Sequence, residues 1–428
     1  MPPLGLGYVA ALTPQDWQIK IVDEHVDTLS VGEEKPDLVG ISTYSLNAPR
    51  AYQLSEEFRK RGIITILGGI HASMMPSEAE NYSDAVVIGE AESVWGKVIS
   101  DFENNTLKKR YIGERVPLVN LPIPRRDLFS DKYEMDIIQT TRGCPFNCEF
   151  CSVSAFNGAE YRQRPVEEVL NELATIKKKL VYFVDDNIFG FGKEAEERAI
   201  RLFGGMIDRK FKKIWGTQAS INFADRDEVL RYAYKSGCRA VYIGFESIIP
   251  DSLVEMKKSI NLKAGVEGFY KAIRKIHDHG IGVVGAFIVG NDHDDVTTFK
   301  KLWDFMKNVS LDVLSIAYLT PLPGTRLFER LKKEGRIIYD DFPGDWEKYD
   351  TDQVVIKPAN MSVDELVRGY GYLVNKKFTP STMLFQSLKT LMNTKNFVTA
   401  LFAFNLNKGT WEYLVRDRDF DRIGSCAS

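Results

Sequence analysis

The chain has 428 residues, 44% apolar and 27% charged, with a net charge of −3. That length suits two or three domains of ~100–200 residues each, and the composition is that of a globular chain able to bury substantial cores. No basic tail points to nucleic acid, no run of ~20 apolar residues reads as a membrane-spanning helix, and the N-terminus lacks the basic-then-apolar order of a signal peptide. Five cysteines, unevenly spread, argue against a disulfide framework and for a reduced, cytoplasmic setting.

Residues 1–112 read as an α/β unit. Strands are expected at "WQIKIVDE", "DLVGIST", "IITILGG" and "DAVVIGE", and helices near 4–12, 48–61 and 91–104. Residues 113–133 form a linker, marked by three prolines in "RVPLVNLPIPRRD". From 134 to 338 short β-rich runs alternate with helical ones. Strands are read at 135–140, 180–186, 214–220, 240–246, 282–290 and 313–320, several nearly continuous in apolar residues, as suits parallel strands buried on both faces. Between them, Val166, Val169, Leu170, Leu173 and Ile176 keep helical spacing, and Gly237 and Gly280 stand where helix C-caps belong. Strict βα alternation implies parallel strands with right-handed crossovers. Six units predict a partial, open (βα)6 TIM-like barrel with its chemistry at the C-terminal strand ends.

Residues 339–428 are expected to be mainly helical, with a capping box from Ser362 to Glu365. The Leu-, Phe- and Met-rich stretch from Ser381 to Leu414 has two readings: helical core closing the barrel's open side, or a lid or groove for an apolar substrate. The acidic–aromatic loop 340–352 is a second segment that could lie over the site.

Cys144, Cys148 and Cys151 follow the first barrel strand in a C-x3-C-x2-C spacing. Structural zinc sites are usually built from C-x2-C pairs with four ligands, and no second pair exists. A [4Fe–4S] cluster normally takes four thiolates, so three leave one iron open to a small ligand. Cys238 and Cys426 read as small buried hydrophobes.

"CPFNCEFC" resembles the hallmark of the radical S-adenosylmethionine (SAM) superfamily, C-x3-C-x-φ-C, with Phe150 at the apolar position. The resemblance implies a [4Fe–4S] cluster whose unique iron is chelated by SAM, reductive cleavage of the sulfonium, and a 5′-deoxyadenosyl radical that abstracts hydrogen from substrate. It assigns Phe150 to adenine, and Asp185, Asp186 or Asn187 to the neighbourhood of the SAM amino group. Glu246 would face the ribose or methionyl part; independently, a carboxylate ending an apolar strand needs a partner. Ile288 and Gly290 fall on the fifth strand end, which meets adenine, although Gly290-Asn291-Asp292 stands where many relatives have Gly-x-Pro. Pro321 falls on the sixth.

The front unit, through "PPLGLGYVAA", "IVDEHVD", "DLVGIST", "LGGIHASMMPSEA" and "DAVVIGEAESVW", resembles the cobalamin-binding domain of the B12-dependent radical SAM subfamily, a flavodoxin-like (Rossmann-type) doubly wound fold. The resemblance implies a cobalamin cradle at Ser42, Thr43, Gly68, Gly69, Ile70, His71, Gly89 and Glu90. The D-x-H-x-x-G pattern for a lower cobalt ligand is absent, so His71 is expected to cap or hydrogen-bond a loop. The family's first, central strand is not found before Pro2-Pro3, and its loss is expected to split the sheet and weaken cobalamin binding. The function implied is cobalamin-dependent methylation of an unactivated carbon. The alternatives are radical cyclisation, oxidation or rearrangement without methyl transfer and, in another class, a non-catalytic iron–sulfur redox sensor. A methylthio-transferring RNA enzyme is disfavoured, because no cysteine precedes Cys144 to hold a second cluster. The partners expected are a small-molecule substrate, an apolar one among the options, and a flavodoxin or ferredoxin electron donor.

Overall fold

The computed structural model describes residues 1–32 and 35–416; Cys426 lies outside the described residues. After helix α1 (Leu4–Leu12), the front unit builds strand β1 (Leu38–Ser42), helix α2 (Ala48–Arg59), strand β2 (Ile64–Gly68), helix α3 (Gly69–Met74), strand β3 (Ala85–Gly89), helix α4 (Trp95–Glu103) and strand β4 (Arg110–Gly113). The four strands pair in parallel and in consecutive order. Side chains alternate across the sheet. Leu67 and Val86 pack with Ala48, Ala51 and Tyr52 of α2, while Ile66, Ala85 and Val87 pack with Trp95, Val98 and Ile99 of α4. Helices on both faces make this the expected doubly wound unit.

Two expectations for this unit are corrected, and one strand is added. The segment 17–24 is not a strand: among the described residues β1 pairs with β2 alone, and no strand lies on its other edge. For the same reason the sheet is not split; it simply ends at β1. Strand β4 was not foreseen, because "RYIG" is short and begins with a charged residue, yet it pairs from Val86↔Arg110 to Gly89↔Gly113.

The second unit contains β5 (Asp136–Ile138), the antiparallel pair β6 (Thr141–Gly143) and β7 (Tyr161–Gln163), then α5 (Val166–Thr175), β8 (Leu180–Phe183), α6 (Lys193–Asp208), β9 (Ile214–Ala219), α7 (Asp227–Ser236), β10 (Cys238–Glu246), α8 (Ser259–Asp278), β11 (Gly282–Val289), α9 (Thr298–Val309), β12 (Val313–Tyr318) and α10 (Arg326–Lys333). Strands β5, β8, β9, β10, β11 and β12 form one parallel sheet in that order, open between β5 and β12. Its outer face meets the helices: the Trp215 ring lies 4.9 Å from Phe183 and 5.1 Å from Phe203. Burial of each such side chain contributes about 1.5–3 kcal/mol. Gly237 ends α7 at φ +112°, where a Cβ would fall 2.0 Å from the Lys213 carbonyl oxygen.

The inner face is different. Tyr182, Tyr242 and Ser315 alternate with the outward core residues and are only half-buried. The hydroxyls of Tyr242 on β10 and Ser315 on β12 meet at 3.0 Å across the concave side. Gln218, in register with Tyr242, is exposed. The inner face along β9, β10 and β12 therefore presents polar side chains, while Tyr182 on β8 packs with Leu4 and Tyr8 of α1 and with Ile137.

Helix α11 (Val363–Lys377) begins with the expected capping box. Its Leu366, Tyr370 and Leu373 join the barrel's outer core, and Tyr370 stacks on Tyr318 at 4.3 Å. Helices α12 (Pro380–Thr394) and α13 (Phe397–Trp411) close neither the open side nor the mouth, which corrects both readings of this stretch. They cap the opposite end, where the strands begin. Gln386 donates to the Ser310 carbonyl at 3.0 Å, Thr390 to the Asp312 carboxylate at 2.6 Å and Thr399 to the Gly280 carbonyl at 2.8 Å. Loop 340–352 lies beside the barrel mouth, where the Thr351 carbonyl accepts from Tyr318 N, at the end of β12, at 2.8 Å. Trp346 is fully buried in it, stacked on Phe342 at 3.7 Å, and donates to Glu78 of the front unit at 3.1 Å. The loop seals the seam between the two units.

Candidate active site

The thiol loop leaves β6 through Gly143, whose φ of +83° and a would-be Cβ 2.1 Å from the Glu160 carbonyl oxygen demand glycine. The loop is pinned from several elements. Glu149 N donates to the Met256 carbonyl at 3.1 Å, Arg326 to the Asn147 carbonyl at 2.7 Å and Arg330 to the Glu149 carboxylate at 3.0 Å. Arg330 also holds Glu255 at 2.6 Å and Asp292 at 2.7 Å, so one guanidinium joins the thiol loop to the loops after β10 and β11. Charge-assisted, forked bonds of this kind are among the stronger polar links.

Cys148 is buried, and Cys144 and Cys151 are half-buried. Burial pushes the Cys148 thiol up to about 11 and raises Cys144 as well; Lys258 pulls both back, and the thiols act on one another. Cys144 Sγ accepts from Asn187 Nδ2 at 3.8 Å. Among the described residues no three His, Cys, Asp or Glu groups converge to hold a single metal ion. Three soft thiolates gathered on one loop, beside a cation, are a donor set suited to an iron–sulfur cluster.

Lys258 has no signature in the sequence. Its ammonium lies 2.8 Å from Glu246 Oε1, and both side chains are nearly buried. Burial alone would lower the Lys258 pKa; Glu246 and the neighbouring thiols outweigh it and raise it. Glu246 sits at φ +65°, at a break in the β10–β11 register. Its carboxylate folds back over Gly244, where a Cβ would lie 2.2 Å from Oε1. This is the partner that a carboxylate ending an apolar strand requires.

The residues after β8 divide their work. Asp185 is fully buried and accepts from Thr140 N at 2.6 Å, Thr140 Oγ1 at 2.8 Å and Thr141 N at 2.7 Å. It braces the strand that leads into the thiol loop, and no side of it is left for a ligand. Asp186 accepts from Gly143 N at 2.9 Å, and burial raises its carboxyl to about 6. Asn187 links Cys144 to Ser220 Oγ at 3.0 Å.

Phe150, Ile288 and Leu322 are half-buried against one apolar cluster, which gathers three sequence-distant candidates for an aromatic ligand. On the loop after β11, Gly290 N and Asn291 N both donate to Asp294 at 3.0 Å. The buried Asn291 Oδ1 has no donor, so an acceptor stands ready for an exocyclic amine. Asp292 is drawn instead to Arg330 and Arg336; burial works against it, but these two cations bring its carboxyl down to about 2. Pro321 is buried and starts the loop whose Gly324 lies against Met74 of the front unit.

The front sheet turns its C-terminal strand ends toward this loop. Gly69 (φ +90°) and Gly89 (φ +79°) are required by neighbouring backbone, since Cβ atoms there would fall 2.8 Å from Thr43 N and 2.4 Å from the Gly113 carbonyl oxygen. Thr43 N donates to Gly68 O at 3.1 Å and His71 N to Thr43 O at 3.2 Å. Ser42, Tyr44 and Leu46 remain exposed beside half-buried Ile70; large apolar side chains held at a sheet's strand ends fit a bulky planar cofactor. His71 is fully buried, its Nδ1 at 3.0 Å from Ser45 Oγ and its Nε2 at 3.1 Å from the Tyr52 hydroxyl. Both ring nitrogens are engaged, so His71 ties the loop after β1 to α2. Glu90 is likewise committed elsewhere. It accepts from Val116 N at 2.9 Å, pairs with Arg142 at 3.2 Å, and grips Arg162. Glu92 pairs with Arg142 as well. Arg142 and Arg162 sit on β6 and β7, so the seam is tied two residues before Cys144.

The profile of the radical SAM superfamily matches residues 138–306, and that of the B12-binding domain matches residues 1–98. A domain of unknown function, DUF4070, matches residues 325–409. The chain is 31% identical over 396 residues to bacteriochlorophyllide d C-12(1)-methyltransferase of Chlorobaculum tepidum, covering 89% of this chain and 84% of the relative. The chain belongs to the radical SAM superfamily, in the group that carries a B12-binding domain. Hopanoid C-2 methylase of Rhodopseudomonas palustris is 29% identical, over 80% of this chain and 66% of that one. The solved structure of the radical SAM methyltransferase TsrM from Kitasatospora setae, with cobalamin and a [4Fe–4S] cluster bound, aligns at TM-score 0.65 and 16% identity over 78% of this chain and 72% of its own. That alignment supports the fold of this radical SAM enzyme. Lys258, Gln218, Tyr242, Arg142 and Arg162, which carry no sequence pattern, stand in the same region as the thiols and the strand ends.

Proposed function

We propose that this enzyme is a cobalamin-dependent radical SAM methyltransferase that places a methyl group on an unactivated carbon of a small molecule held in the barrel lumen. The observation that carries the reading is the meeting of two strand-end mouths, fixed by Glu90 and Glu92 on Arg142 and Arg162 beside the thiol loop. When bound, the cluster and cobalamin supply the electron and the methyl carriage, which are the cofactors' own chemistry.

The chain's residues position and insulate. Cys144, Cys148 and Cys151 hold the cluster as thiolates, and the Lys258 ammonium offsets negative charge beside them. Lys258 also orients Glu246 toward the ribose or methionyl part of SAM. Phe150, Ile288 and Leu322 offer an apolar surface for adenine, with Asn291 Oδ1 as acceptor. Asp186 bonds the start of the thiol loop at Gly143 N, and Asn187 orients the Cys144 sulfur. Ser42, Thr43, Gly68, Gly69, Ile70 and Gly89 line the cobalamin side. Tyr182, Gln218, Tyr242 and Ser315 give the substrate hydrogen-bonding partners in the lumen. A cytoplasmic flavodoxin or ferredoxin would deliver the electron.

The test is anaerobic reconstitution with iron, sulfide and cobalamin, followed by incubation with methyl-deuterated SAM and a small-molecule extract from a strain lacking the gene. The reading expects S-adenosylhomocysteine, deoxyadenosine and a product carrying the labelled methyl. Deoxyadenosine with the label confined to SAM and methionine would mean radical chemistry without methyl transfer.

A further inference from the structure

Helices α12 and α13 are built inside out. Their polar side chains face the protein: Gln386, Thr390, Thr394, Thr399 and Asn407 are buried, and four of them bond the strand-start side of the barrel directly. Met383 is buried and Trp411 packs on the barrel core, but most of their other large apolar side chains face away. Leu384, Phe385, Leu388 and Met392 of α12 and Phe397 of α13 are each more than half exposed, and Leu401 nearly so. Scattered exposed leucines are ordinary, but a contiguous apolar face marks an interaction surface.

Charge decides between occupants. From Leu366 to Trp411 the sequence contains no aspartate or glutamate. The hairpin itself carries Lys389, Lys395 and Lys408, all at least partly exposed; Lys408 lies 3.9 Å from Glu412 just past α13, and the Lys389 ammonium lies 4.9 Å over the Phe385 ring. A second copy docked face to face would bring these lysines against their own equivalents. An anionic lipid surface would complement them, since lysines near the headgroups are attracted to anionic lipids. Of residues 417–428 only Phe420 and Ile423 are large and apolar, too few for that stretch to cover the face. Each helix has 15 residues, about 22 Å at 1.5 Å per residue, short of a hydrocarbon core of about 30 Å. Among the described residues no helix is long and apolar enough to cross a membrane.

We infer that α12 and α13 form an interfacial anchor that lays the strand-start end of the barrel on an anionic membrane surface. An apolar face flanked by lysines is the pattern of helices that lie in the headgroup boundary. The thiol loop and the mouth stand at the other end of the barrel, so the anchor leaves them facing the aqueous side, accessible to a soluble electron donor.

The test is co-sedimentation of the full, anaerobically reconstituted chain with vesicles of phosphatidylcholine alone and of phosphatidylcholine with phosphatidylglycerol, with analytical ultracentrifugation in parallel. Binding is expected on the anionic vesicles, at least tenfold weaker on the neutral ones. The exposed-site variants Phe385→Ser/Met392→Ser/Phe397→Ser and Lys389→Glu/Lys395→Glu should each lose at least tenfold in binding while keeping wild-type deoxyadenosine formation and an unchanged melting curve. Failure of the folded wild type to pellet with anionic vesicles overturns the inference. So does a stable dimer that the serine variant converts to monomer, which would assign the face to a second copy.

Discussion

Lys258 and Glu246 illustrate how a buried pair ties chemistry to stability. Removing one partner of such a pair leaves a buried charge alone, at a cost of about 3–5 kcal/mol. Lys258→Met should therefore lower the melting temperature markedly, and Lys258→Met/Glu246→Leu should recover most of it. Neither variant should regain deoxyadenosine formation, because the carboxylate beside the thiols is then misplaced or gone. A double variant with wild-type deoxyadenosine formation would assign the pair to folding alone. Glu246 was legible in the sequence as a carboxylate out of place on an apolar strand. Lys258 was not, because a lysine preceding a helix has no pattern of its own until β10 folds beside it. Asp185 was legible only as a strand-end acid; its use as a brace depends on Thr140 and Thr141, about 45 residues earlier in the chain.

At the level of elements, the loops after the barrel strands are held by arginine hubs. Asp292 has a folded-state pKa of about 2, below its usual 3.8. A depressed carboxyl contributes stability that is complete above the unfolded value and is lost as pH falls toward the folded one. The difference in melting temperature between wild type and Asp292→Asn should thus be constant near neutrality and shrink as pH drops through about 4. A difference that grows on acidification would refute the assignment. Gly89→Ala should destabilise the front unit by about 1–3 kcal/mol, since its positive φ and the Gly113 carbonyl at 2.4 Å both resist a Cβ; the front transition in a thermal or denaturant melt reports it. The six barrel strands, their helices and the Ser362 capping box were readable from periodicity and caps. The strand expected over 17–24 was not realised, because a strand needs a neighbour as well as a pattern. The register of α12 and α13 was equally hidden: their threonines, glutamine and asparagines reverse the usual rule of which helix face is buried.

Across the whole molecule, function depends on the two units meeting in one orientation. Glu90 and Glu92 fix that orientation on Arg142 and Arg162, at a seam that Trp346 and Glu78 seal from the other side. Arg162→Met with Glu90→Gln should leave the cluster and SAM cleavage largely intact but reduce methyl transfer at least tenfold, read as the ratio of S-adenosylhomocysteine to deoxyadenosine. An unchanged ratio would mean that the seam has no part in aligning the mouths. The arrangement as a whole rests on one claim: three thiols hold an iron–sulfur cluster with a coordination position that SAM occupies. Electron paramagnetic resonance of the reduced, reconstituted enzyme with and without SAM tests it most directly. The cluster signal should shift on adding SAM and disappear in Cys144→Ala, Cys148→Ala and Cys151→Ala; a signal that ignores SAM, or survives loss of these thiols, would contradict that claim.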